Sequence, residues 1–365
     1  MGRVAPWMGR TGRAGRFSLS WRRIAGPPRE RQSVRGGEPR SVKLRYGRKR
    51  VGSMKKFYVI VNPVSGRGAG ELAIPRIEDA LRVAGLEHAL VRTERPWHAA
   101  ELAQQASADG FDVIVAVGGD GTANEVLNGL MQAKAARGHC ATMGVLCVGR
   151  GNDFAFGVGV PRELDAAIRT LASGRTRTID VGRAVGGDFP QGRYFGNGVG
   201  IGFDTVVGFE AQKLKHLHGF MAYLVGALRT MFLYFRAPLV RIELDGRAIT
   251  QRALMVSIMN GRRMGGGFLM APAGCPDDGL LDLCIAAQIS RRAVLRLMPR
   301  FMKGTQGSHP AITTERARRV KITAEEGTLP AHADGETLCT AGDRLDVELL
   351  ARQIEIIVGA ETVKP

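Results

Sequence analysis

Three carboxylates of this chain sit beside glycines, in settings where an acidic side chain could take part in chemistry. Asp120 lies in the glycine cluster Gly118-Gly119-Asp120-Gly121-Thr122, while Asp334 and Glu336 flank a single glycine near the end of the sequence. Glycines at a strand end let the backbone turn sharply and let a ligand approach bare amides. The free N–H groups and positive dipole end of a following helix then hold an anion. A carboxylate in such a turn would repel phosphates directly, so Asp120 is placed to meet them through Mg2+. Asp334 and Glu336, at i and i+2, face the same side of an extended segment and would repel each other unless a metal or a proton mediates. Asp-Gly is also a common turn dipeptide. Phosphoryl transfer to a hydroxyl uses this set of groups: a metal-bridged triphosphate, charge stabilisation, and a carboxylate that orients and deprotonates the attacking oxygen.

The elements that must carry these residues follow from periodicity. Strands are expected over 57–61, 88–91, 113–117 and 143–148, alternating with helices over 71–84, 97–108 and 123–134 and closed by a helix over 162–172. That alternation argues for a parallel sheet covered on both faces. Thr122 is the expected cap of the third helix, with Glu125 completing a capping box. Glycine-rich turns follow three of the strands: Asn62-Pro63-Val64-Ser65-Gly66-Arg67-Gly68, the cluster around Asp120, and Gly149-Arg150-Gly151-Asn152-Asp153-Phe154. One such turn alone also describes an ordinary βα connection, but the carboxyl ends of parallel strands share an edge, so the three should converge. The first turn lacks the Lys-Ser/Thr ending of a P-loop, and none has the GxGxxG spacing of a dinucleotide fold at the right place.

After Gly174 the texture changes to short strand-like runs, 178–184, 193–197, 239–244, 253–259, 281–286, 319–323 and 346–350, with helical insertions over 205–235 and 291–304. The expected fold class is therefore α/β plus β, an N-terminal parallel-sheet domain followed by an antiparallel β-sandwich domain. The expected divisions are a disordered basic extension over 1–53, a nucleotide-binding α/β domain over 54–177, a β-rich domain over 178–350, and a C-terminal strand and tail over 351–365 that returns to the first domain.

Net charge is +18, yet residues 1–53 hold 15 Lys/Arg against Glu30 and Glu38, a net +13 that leaves +5 for the remainder. The basic character is thus concentrated in a Gly/Pro-rich leader, which weakens any nucleic-acid reading of the whole chain. Met54 precedes the first strand directly, and a start there would leave the leader untranslated. Five cysteines without a CxxC pair suit buried free thiols in a reducing, cytoplasmic compartment and give no support to a zinc site. The apolar stretch 220–235 contains Arg229 and is too short to span a bilayer; core packing is its first reading, and a lipid-access groove or a membrane-surface contact is its second.

Taken together, Asn62-Pro63 with Ser65-Gly66, Gly118-Gly119-Asp120-Gly121-Thr122 with Asn124-Glu125, and Gly149 with Gly151-Asn152-Asp153 resemble the catalytic domain of the diacylglycerol kinase family, bacterial soluble lipid kinases related to sphingosine kinases. The resemblance continues through Asn197-Gly198-Val199-Gly200, Pro276-Asp277-Asp278-Gly279-Leu280-Leu281-Asp282 and Asp334-Gly335-Glu336, covering essentially 54–350. It implies a first domain resembling phosphofructokinases and NAD kinases, and ATP-dependent phosphorylation of a lipid hydroxyl, with diacylglycerol or a related glycerolipid as acceptor. Nucleotide contacts carried over fall on Asn62, Pro63, Ser65, Gly66, Thr93, Gly119, Asp120, Gly121, Thr122, Asn124, Glu125, Arg150 and Asn152. Arg150 departs from the threonine common at that position. The resemblance makes Glu336 the general base, with Asp334 its partner and Asp120 beside the catalytic Mg2+. It also implies a structural Mg2+ on the Asp278 carboxylate and the carbonyls of Cys275 and Leu280. The partners implied are ATP, a lipid substrate and a peripheral membrane surface reached from the cytoplasm, with no nucleic acid and with room for a homodimer. The rival readings are an NAD kinase-like enzyme and a non-catalytic nucleotide- or lipid-binding protein.

Overall fold

A computed structural model describes residues 55–149, 151–213, 220–233 and 237–359. The expectations for the basic leader, for Met54 and for Arg150 fall outside them. The chain begins with β1 (Lys56–Val61), α1 (Ser65–Val83), β2 (Glu87–Arg92), α2 (His98–Ala108), β3 (Val113–Gly118), α3 (Asp120–Arg137), β4 (Thr142–Cys147), α4 (Asp153–Val158) and α5 (Leu164–Ser173). β1 pairs in parallel with β2 and β3, and β3 with β4. Every residue of β3 is buried, as expected of an apolar, β-branched strand covered on both faces. Ile77 and Leu81 of α1 and Leu127 and Leu130 of α3 are fully or almost fully buried against this sheet, each contributing about 1.5–3 kcal/mol of transfer free energy. α3 ends where Gly138 adopts φ +80°, with Lys134 and Arg137 in its last turn to complement the helix dipole.

The remainder comprises β5 (Thr176–Gly186), β6 (Phe189–Phe195), β7 (Gly198–Gly202), α6 (Phe203–Lys213), α7 (Phe220–Leu233), β8 (Leu239–Leu244), β9 (Arg247–Met259), β10 (Leu281–Ala287), α8 (Arg291–Lys303), β11 (Ile312–Ala317), β12 (Arg319–Glu326), β13 (Leu329–Ala333), β14 (Glu336–Gly342) and β15 (Arg344–Ile357). β9 pairs with β8 along its first half and with β7 and β10 along its second, so one strand serves both layers of the antiparallel sandwich. β15 pairs antiparallel with β5 and β12 and meets β4 through Ile356 and Met143, which joins the sandwich to the parallel sheet. Separate apolar clusters fill the parallel-sheet lobe and the sandwich, and a third, containing Phe203, Met255, Phe268, Leu297 and Phe301, lies beneath α6, α7 and α8. Among the described residues no helix is long and apolar enough to cross a membrane.

Candidate active site

The parallel register puts the ends of β1, β3 and β4 side by side, and the three glycine turns leave from that edge in contact with one another. Val148 and Gly149 both donate their N–H to the Gly118 carbonyl, at 3.0 and 3.1 Å. A side-chain carbon at Gly149 would lie 2.4 Å from Gly119 Cα, and one at Gly66 would lie 2.3 Å from the Val148 carbonyl oxygen. Gly66, Arg67 and Gly68 all have positive φ, so the first turn is tightly coiled before α1 becomes regular. Asn62 links the first turn to the second by donating from Nδ2 to Thr122 Oγ1 at 3.1 Å. Pro63 accepts from the Glu71 N–H through its carbonyl, and the Ser65 hydroxyl is shielded from solvent with no hydrogen-bond partner. Thr93 leaves β2 at the same edge, its N–H bonded to the Val61 carbonyl. Asn152 folds back to donate to the Gly149 carbonyl at 3.0 Å. Gly149→Ala is expected to destabilise the fold by about 1–3 kcal/mol, because backbone rather than a movable side chain opposes the added carbon; thermal unfolding checks it.

The expected capping box does not form. α3 starts at Asp120 with Gly119 as its cap, which places Thr122 inside the first turn, where its hydroxyl accepts from Asn62. Glu125 instead accepts the Ala99 N–H at 3.1 Å and so serves the start of α2. Asp120 faces the third turn and accepts the Phe154 N–H at 3.0 Å. Burial, with the Asp153 carboxylate beside it, pushes the Asp120 carboxyl up to about 7. Asp153 itself is held by Arg263 Nε at 2.6 Å and by the Gly266 N–H at 2.8 Å.

Asp334 and Glu336 do not share an extended face. Asp334 (φ +49°) and Gly335 (φ +85°) form the two-residue turn between β13 and β14, whose strands pair Ala333 with Glu336. The turn sends the two carboxylates apart. Asp334 points inward, and its Oδ1 accepts the N–H groups of Asn197 (3.0 Å) and Gly198 (2.9 Å), while Oδ2 accepts Gly196 N–H (2.8 Å) and Asn124 Nδ2 (2.9 Å). Four donors saturate a carboxylate, so Asp334 has no lone pair left for a metal and acts by fixing the turn against α3. Glu336 points outward with 46% of its side chain exposed, and Oε1 would lie 3.0 Å from a side-chain carbon on Gly121. Arg193 approaches Glu336 Oε2 to 3.9 Å, stacks on Trp97 at 4.6 Å, and donates to Asn124 Oδ1 at 3.1 Å.

An apolar cavity opens from this cluster. Asp120, Asp153 and Asp334 stand at one end, and Phe203, Val207, Met255, Met264, Leu297 and Phe301 line its walls. Two polar residues in its lining carry no sequence signature. Asp204, at the start of α6, accepts the Thr205 N–H at 2.8 Å and the Ser257 hydroxyl at 3.2 Å, and burial pushes its carboxyl up to about 7. His332 Nδ1 accepts the Gly335 N–H, which leaves the proton on Nε2, and burial lowers its pKa to about 4. Asp204 Oδ2 and His332 Nε2 each come within 2.4 Å of one point above Gly200, so they are neighbours. The sign of each contribution to stability differs. His332, depressed from 6.5, costs stability at acid pH and stops doing so as pH rises through 6.5; Asp204, raised from 3.8, favours the folded state at acid pH and loses that contribution as pH rises through about 7. Asp204→Asn is therefore expected to remove a fall in stability that runs from about pH 4 to about pH 7, read by denaturant unfolding at each pH.

The loop after Gly274 is arranged differently from the cluster above. Asp278 Oδ1 accepts the Leu280 N–H at 3.1 Å, and Arg316 forms an ion pair with Oδ2. The Cys275 carbonyl accepts the Asp278 N–H at 3.4 Å, and Asp277 pairs with Arg177. An ion on Asp278 and the carbonyls of Cys275 and Leu280 would have to displace the Arg316 guanidinium, so these residues as placed do not fit one. Among the described residues no set of three His, Cys, Asp or Glu side chains is grouped for a metal.

Residues 56–184 match the diacylglycerol kinase catalytic domain, and residues 197–358 match the YegS C-terminal NAD kinase beta sandwich-like domain. A diacylglycerol kinase of Bacillus subtilis is 32% identical over 285 residues, covering 78% of this chain and 90% of that protein. One from Mycobacterium tuberculosis is 31% identical over 286 residues, covering 78% and 89%. A crystal structure from Bacillus anthracis has the same fold, with a TM-score of 0.70 at 24% identity over 86% of this chain and 99% of the other.

Proposed function

The chain belongs to the diacylglycerol kinase family and is a lipid kinase, and we propose that it transfers the γ-phosphoryl group of ATP to the hydroxyl of diacylglycerol or a similar glycerolipid. The observation that carries this reading is the position of Glu336 over Gly121, at the positive end of α3 and beside the mouth of an apolar cavity. The triphosphate rests on the three turns, with Asn62, Pro63, Ser65, Gly66, Thr93, Gly119, Asp120, Gly121, Thr122, Asn124, Glu125 and Asn152 around it. The acceptor oxygen attacks the γ-phosphorus, the bond from that phosphorus to the β–γ bridging oxygen breaks, ADP leaves, and the hydroxyl proton passes to Glu336. Arg193 orients Glu336, and Asp334 holds the turn that carries it. Mg2+ would be held at Asp120, whose crowding by Asp153 suits a divalent cation, and would screen the negative charge of the triphosphate. Asp204 and His332 give the cavity a polar contact for the acceptor's headgroup while its walls take acyl carbon. The apolar lining disfavours a dinucleotide acceptor.

The test is incubation with γ-labelled ATP and Mg2+ against dispersed diacylglycerol, a sphingoid base and NAD+. Label in phosphatidic acid supports the reading. Label on NAD+ alone, or ATP hydrolysis without transfer to any lipid, overturns it.

A further inference from the structure

α8 has one face in the cavity and another in solvent, and the two differ in kind. Ser290 caps its start and Gly304, at φ +69°, ends it. Val294, Leu297 and Phe301 are buried, and all three line the apolar cavity. At about 100° per residue, Leu295 and Met302 fall together beside that buried arc. They are 44% and 46% exposed, among the few large apolar side chains at the described surface. Arg292, Arg296, Arg300 and Lys303 make up most of the rest of the outer face, all of them exposed. Residues 283–314 contain no Asp or Glu, although the chain outside its leader is nearly balanced in charge. An exposed apolar ridge flanked by cations is how a helix lies in a lipid headgroup layer, with its apolar side chains among the acyl chains and its cations against anionic headgroups. Charge alone would also suit a nucleic acid or an acidic protein, but neither accounts for the ridge or for the continuity of this helix with the cavity behind it. A second copy of the same helix would bring like charges together.

We propose that α8 is the face with which this kinase rests on an anionic phospholipid surface, so that the wall of the acceptor cavity is the element in contact with the membrane. The inference rests on the lipid-kinase reading above in that it supplies a membrane-borne acceptor to that cavity.

The experiment uses the full chain and two variants, Arg292→Gln/Arg296→Gln/Lys303→Gln and Leu295→Ser/Met302→Ser, with vesicles of phosphatidylcholine alone or with about one-third phosphatidylglycerol. The wild type is expected to bind the anionic vesicles and to show slowed amide hydrogen exchange within 291–304. The charge variant should lose on the order of 100-fold in vesicle affinity at low salt, and the apolar variant about 10-fold, while both keep the wild-type melting temperature and kcat on a short-chain, water-dispersed diacylglycerol. Exchange in 291–304 that is unaffected by vesicles, or that is slowed as much in the variants as in the wild type, would overturn the proposal. So would protection of α8 by duplex DNA or an acidic peptide but not by vesicles. Because exchange is read at α8, the basic leader common to all three proteins does not determine the outcome. Failure to phosphorylate any dispersed glycerolipid would sink the kinase reading and leave the docking result standing; failure of docking with intact transfer would sink only this proposal.

Discussion

Glu336→Gln is expected to lower kcat by about 10^2- to 10^4-fold, the range for removal of a positioned proton acceptor, with nucleotide affinity and melting temperature close to the wild type. Glu336 is half in solvent and makes only a long contact to Arg193, so replacing its carboxylate with an amide leaves no buried group unpaired. What is lost is the ability to take a proton next to the start of α3. Steady-state kinetics with separate nucleotide-binding and thermal-melt measurements distinguish this outcome from a folding defect, and a variant with unchanged kcat would remove Glu336 from the chemistry.

Asp334→Ala has the opposite profile. Its carboxylate accepts from three backbone N–H groups and from Asn124, all buried, and truncation leaves those donors without partners. Unsatisfied buried donors cost about 1–3 kcal/mol each and are not fully additive, so a loss of about 3–5 kcal/mol is expected, a fall in melting temperature of roughly 5–10 °C for a protein of this size. Asp334→Asn is expected to be little better, since an amide presents N–H groups to a nest of N–H groups. If Asp334 served mainly as a metal ligand, the loss would depend on Mg2+; equal destabilisation with and without Mg2+, read by differential scanning calorimetry, is the expected result.

How far the sequence revealed these features depended on how local each one is. The strand Val113–Val117 and its glycine cluster are legible because burial on both faces and bare backbone both leave a mark in residue type. The sandwich class was legible from turn spacing, but β7, with sequence Gly-Val-Gly-Ile-Gly, was not, since glycine hides the alternation that marks a strand. Asp334-Gly335 admitted a turn or an extended face, and only the pairing of β13 with β14 decides for the turn. Thr122 and Glu125 matched a local capping pattern, yet tertiary partners claimed both side chains. Asp204 and His332 are far apart in the chain, and their meeting above Gly200 is a product of the fold alone.

β15 has a mechanical consequence. One element of fourteen residues, Arg344–Ile357, is hydrogen-bonded to β12 of the sandwich and meets β4 of the parallel sheet, and its irregularity near Arg352 is clamped by Asp180 Oδ1 at 2.7 Å. Any wide swing between the two halves would have to bend β5 and β15 together, and the register slip between Leu350 and Ile354 is where that bend would fall.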